Sequence, residues 1–121
     1  MKTQTISILG AEYFFVIRKY QDDPEFARLS CDGYHDGPAR VMAVCDLNTH
    51  PAYAHESKEH KRNYMKIVAR HEIEHAFLFQ SGLSVNSGQP DRGWAINEEM
   101  VDWHAIQMPK IFAACKQIGA L

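Results

Sequence analysis

Residues 57–82 read SKEHKRNYMKIVARHEIEHAFLFQSG, and the reading of this stretch decides the fold. From Ser57 to Ser81 it contains neither Gly nor Pro. Tyr64, Ile67, Val68, His71, His75, Leu78 and Phe79 recur at i, i+3, i+4 steps, which predicts one long helix with a single buried stripe. Gly82 stands where a left-handed C-terminal cap belongs. Inside the helix lies His71-Glu72-Ile73-Glu74-His75, an HExxH motif. Residues four apart on a helix project to one side, so both imidazoles can reach one Zn²⁺ at about 2.0–2.1 Å. Glu72 then lies beside the ion without binding it, placed to take a proton from a metal-bound water and deliver it to a leaving amine.

Upstream of the helix the pattern changes. Residues 3–9 alternate, Gly10 breaks the run, and 12–20 (EYFFVIRKY) is aromatic and β-branched: two strands joined by a short turn. Asp22-Asp23-Pro24 reads as a turn or helix start, with one helical turn over 25–29. Asp32-Gly33 and Asp36-Gly37-Pro38 are turn signals, and residues 33–35 with 40–46 (RVMAVCD) read as a hairpin. The expectation is a small, mostly antiparallel sheet. Residues 48–56 and 84–93 read as loops. A second helix is expected from about Ile96 to Gln107, with Pro109 kinking it or starting a new segment to about Gln117.

Composition bounds the rest. The chain has 121 residues, enough for a single domain over 1–121. Thirteen basic against fifteen acidic residues give a net charge of −2, which argues against an electrostatic nucleic-acid binder. No apolar run spans a bilayer, and the N-terminus lacks the apolar core and cleavage site of a signal peptide. Three widely spaced cysteines without a CxxC read as free, buried thiols in a reducing compartment. These readings place the chain in the cytoplasm, with no nucleic-acid or membrane partner.

A zinc site needs a third protein ligand, with the fourth position left for water. Residues 97–102 read NEEMVD. Glu98 and Asp102 are four apart, so both can face the first helix, one binding metal and the other fixing the tautomer of a ligand His. Glu99 is an alternative ligand. Acids following an Asn97 N-cap also suit the helix dipole without any metal. HExxH followed by NExxxD resembles the gluzincin class of zinc metallopeptidases. That resemblance implies Glu98 as third ligand and Asp102 as a hydrogen-bond partner of the first ligand His.

Across nearly the whole chain, ISILG, DDPEF, DGYHD, RHEIEHAFLFQSGL and WAINEEMVDWHAIQMPKI are similar to small bacteriophage and prophage proteins grouped with ImmA/IrrE-type metallopeptidases. The resemblance implies an α+β, minimal zincin-like fold, in which the sheet packs on an active-site helix and a third-ligand helix. It also implies a Zn²⁺ cofactor, peptide-bond hydrolysis with Glu72 as general base, and a protein or peptide substrate in the host bacterial cytoplasm. Larger peptidases supply a Tyr or His to the oxyanion from a downstream domain; here Tyr34, His35, Arg92 and His104 are the candidates. The strand at 40–46 is a candidate edge for pairing with a peptide.

Simpler readings apply elsewhere. Glu74 reads as a solvated charge, His104 as structural, and His50, His55 and His60 as loop or surface residues. Trp94, Trp103, Phe77 and Phe79 read as core aromatics. The rival to an enzyme is a non-catalytic, zinc-stabilised interaction or regulatory module of a phage or mobile element.

Overall fold

The computed structural model describes residues 2–84 and 93–121. The alternating N-terminal run forms β1 (Lys2–Ile8), which pairs antiparallel with β2 (Ala11–Lys19) through the Leu9-Gly10 turn, Ile6 opposite Tyr13 and Gln4 opposite Phe15. After β2 the chain makes the short helix α1 (Glu25–Arg28) and then the hairpin β3 (Gly33–Asp36) and β4 (Val41–Asp46).

The sheet order is β1-β2-β4-β3, and β2 pairs with β4 in parallel. The sheet is therefore mixed: the β1–β2 and β3–β4 pairings are antiparallel as expected, and the β2–β4 pairing is parallel. Burial explains the order. Met42, Ala43, Val44 and Cys45 in β4 are all buried, so this strand gains most from neighbours on both sides and takes the interior. The short, polar GYHD strand goes to the edge.

Register divides the side chains between two faces. Tyr13 and Met42 join Ile8, Ala11 and Ala76 in one core cluster, and Val16, Ala43 and Cys45 join Phe26 of α1 and Leu47 in another. Each large side chain so buried contributes about 1.5–3 kcal/mol.

The long predicted helix is α2, Lys58–Gln80. Ser57 caps it by accepting the His60 N–H at 3.0 Å, and Gly82 takes the left-handed conformation (φ +85°) just beyond its end. The face toward the sheet carries Val68, Glu72 and Ala76 at i, i+4, i+8, all buried. Close approach at this face requires Gly33, because a Cβ there would stand 2.5 Å from Val68 Cγ1 and 3.3 Å from Glu72 Oε1.

The second helix, α3, spans Glu98–Gln117, with Asn97 accepting the Met100 N–H at 2.8 Å. It runs through Pro109 to Gln117 as one helix, so no new segment starts there. Leu78 of α2 and Ala95 and Val101 form the contact that fixes α3 against α2. No helix among the described residues is long and apolar enough to cross a membrane.

Several side chains depart from the simple readings. Trp94 and Trp103 are more than half exposed and Phe77 is also exposed, because the core between α2 and α3 is filled by Leu78, Ala95 and Val101. Phe79 does pack inward, edge-on to His35. Glu74 is not a free surface charge: its carboxylate accepts from His104 Nδ1 at 2.8 Å. Cys45 is buried, while Cys31 and Cys115 are half-buried.

Candidate metal centre

Helix α2 supplies His71, Glu72 and His75, and the first turn of α3 supplies Glu98 and Asp102. His71 Nε2 and His75 Nε2 are 3.0 Å apart. A Glu98 carboxylate oxygen lies 3.0 Å from His71 Nε2, and the other 3.1 Å from His75 Nε2. Ligand atoms around a tetrahedral ion with bonds of ~2.0–2.1 Å stand ~3.4 Å apart, so this triangle is close to the size such an ion requires. Among the described residues these three form the group that could hold a metal ion. Glu99 is exposed and does not join them.

The tautomer of His71 is set from outside. Asp102 Oδ1 lies 2.7 Å from His71 Nδ1. A carboxylate only accepts, so Nδ1 carries the proton and the Nε2 lone pair faces the triangle. The His71 Nε2 lone pair, His75 Nε2 and the Glu98 carboxylate thus converge within about 3 Å of one another.

Glu72 is only 4% exposed and makes no hydrogen bond among the described residues; its Oε1 lies 3.9 Å from His71 Nε2. Burial first, then the Glu98 and Asp102 carboxylates, pushes its pKa up to about 8. Burial also pushes His75 down, against the pull of Glu98.

A cleft of about 400 Å³ opens over these groups, walled by Leu29, Cys31 and the strand residues Gly33, Tyr34 and His35. Glu98 is 66% exposed, so the cleft is reached from that side. The strand beside the cleft with a free edge is β3, not the 40–46 segment, which lies inside the sheet as β4.

The four oxyanion candidates separate. Tyr34 borders the cleft, but its hydroxyl donates to Asp23 at 2.6 Å and accepts from Arg18 at 2.8 Å. Burial and the Asp23 bond push that hydroxyl up to about 12. His104 is held by Glu74, outside the cleft lining. Arg92 lies outside the described residues. His35 stacks beside His75 with ring centroids 6.4 Å apart, and its buried Nε2 has no hydrogen-bond partner among the described residues. Burial, reinforced by His75, pushes His35 down to about 4, so it is neutral at pH 7.

Sequence reasoning missed Cys31 and Leu29 as cleft walls and Gly33 as the residue that lets α2 approach β3. The Asp32-Gly33 dipeptide signals a turn and carries no sign of this contact. His50, His55 and His60 take no part in the cleft, as expected of loop and surface residues.

No protein-family model, curated protein or solved structure matches the chain.

Proposed function

We propose that this chain is a zinc-dependent metallopeptidase of minimal zincin type, in keeping with its resemblance to phage-encoded ImmA/IrrE-like proteins. The observation that carries the reading is the convergence of His71 Nε2, His75 Nε2 and Glu98 beside the buried Glu72 carboxylate. Two imidazoles and a carboxylate suit Zn²⁺, and three ligands with an open side suit catalysis, whereas structural sites close with four. When bound, the ion would supply Lewis acidity and a water of lowered pKa.

The protein groups then divide the work. Asp102 holds His71 in the tautomer that presents Nε2. The charge of a bound ion would oppose the burial and neighbouring carboxylates that raise the Glu72 pKa, leaving Glu72 ionised to take the proton of the attacking water and pass it to the leaving amine nitrogen. His35, whose Nε2 has no partner among the described residues, donates to the developing oxyanion. The free edge of β3 offers backbone N–H and C=O groups to an extended peptide substrate. The same reading carries a protein or peptide substrate and a host-cytoplasm location.

The test is hydrolysis of a quenched-fluorescent peptide library by the zinc-loaded chain and by Glu72→Gln. The reading expects a loss of about 10²–10⁴-fold in the variant, with zinc content and melting temperature nearly unchanged. Undiminished hydrolysis by the variant would remove Glu72 from the mechanism. Zinc binding without hydrolysis in either protein would favour the interaction module.

A further inference from the structure

Helix α3 is longer than the body it packs on. Val101 and Ala105 are buried, whereas from Met108 to Leu121 every residue but the half-buried Cys115 is exposed. The exposed stretch is apolar: Phe112 is 57%, Ile118 81% and Leu121 70% exposed, and Met108 and Ile111 are also open to solvent. A shallow groove of about 410 Å³ follows this face from Glu74 and His104 to Leu121.

The spacing is that of a helix-pairing seam. Val101, His104, Met108, Ile111, Cys115 and Ile118 follow one another at alternating steps of three and four. Within the body the seam is occupied, Val101 by Leu78 and His104 by Glu74. From Met108 onward it has no partner among the described residues. The two cations of the stretch, Lys110 and Lys116, fall on the outer side of the helix, away from the seam.

We propose that this C-terminal arm pairs with the arm of a second copy of the chain. A charge-free seam is self-complementary: two copies meet with no like charges opposed, and no oppositely charged partner is called for. The area also fits. At about 150–250 Å² for a large apolar side chain, the exposed parts of Met108, Ile111, Phe112, Ile118 and Leu121 come to roughly 550 Å² per copy. That is more than ~1,000 Å² in total, enough for a specific but reversible dimer. The inference does not depend on the metal or on catalysis.

Sedimentation velocity from about 1 µM to about 200 µM tests it, since an interface of this size dissociates in the micromolar range. The native chain should pass from monomer to dimer across that range. Ile111→Asp with Ile118→Asp should remain monomeric throughout, with unchanged helical circular dichroism because both side chains are exposed. Lys110→Glu with Lys116→Glu, on the outer side, should dimerise like the native chain. A native chain still monomeric at the highest concentration, or a dimer that survives the aspartates, overturns the proposal. So does a native chain that stays monomeric yet co-sediments with phosphatidylglycerol vesicles, which would assign the arm to a lipid surface.

Discussion

Arg70 Nε donates to the carbonyl oxygen of Ala105, the acceptor that Pro109 leaves without its intrahelical donor. Proline has no N–H, so the carbonyl four residues earlier has no partner within the helix. Ala105 is fully buried, and water does not readily replace the missing bond. An arginine one position before the HExxH motif thus lets α3 continue through its proline and locks α3 to α2.

Arg70→Met should therefore destabilise the protein by about 1–3 kcal/mol, the cost of an unsatisfied buried carbonyl. Pro109→Ala restores an intrahelical donor, so Arg70→Met should cost less in that background. A thermal-melt double-mutant cycle reads the coupling, and strict additivity would count against the relationship.

Gly33→Ala should loosen the packing of α2 on β3. Its Cβ would stand 2.5 Å from Val68 Cγ1 and 3.0 Å from the Ala43 carbonyl oxygen. The expected loss is about 1–3 kcal/mol, with weakened zinc affinity because Glu72 and the ligand histidines ride on the same helix. Val68→Ala in the same chain should recover part of both losses, as read by melting and zinc titration.

The Arg18–Asp23–Tyr34 cluster sets part of the acid stability. Burial raises the pKa of Asp23, but bonds from Tyr34, Arg18 and the Glu25 N–H outweigh it and hold the carboxyl below its ordinary value. A depressed folded-state pKa gives stability that is fully present above the unfolded value of about 3.9 and is lost as pH falls through the folded value. Asp23→Asn should thus destabilise at neutral pH by about 1–3 kcal/mol and flatten the stability profile below about pH 4. Urea midpoints across that range check it; an unchanged acid limb would be the contrary result.

Asp102→Asn should lower zinc affinity about 10–100-fold while leaving the melting temperature of the metal-free chain nearly unchanged. Asp102 is mostly exposed, so its contribution is to His71 and not to the core. Competition with a chromophoric chelator measures the affinity.

The long helix and the site within it were legible because one period governs both. His71, Glu72 and His75 follow from helical spacing, and their convergence with Glu98 and Asp102 follows from a second i, i+4 pair. The resemblance added the choice of Glu98 over Glu99, which propensity alone left open. Sheet order was not legible. Adjacent strands suggest sequential hairpins, and the insertion of β4 between β2 and β3 depends on the burial of a whole strand, which no local pattern states. The uninterrupted α3 was hidden for a similar reason, since the residue that compensates Pro109 lies 35 positions from Ala105 along the chain. The exposed tryptophans were misread because the helix interface is filled by small and aliphatic side chains, leaving no room for an indole.

The central claim is that His71, His75 and Glu98 form one metal site. Its most direct test is the zinc content of the native chain and of Glu98→Ala by elemental analysis after dialysis against trace zinc. The account predicts one zinc per native chain and a large loss in the variant. One zinc in both proteins would place the third ligand elsewhere, and a native chain purified without chelators that holds none would contradict the site itself.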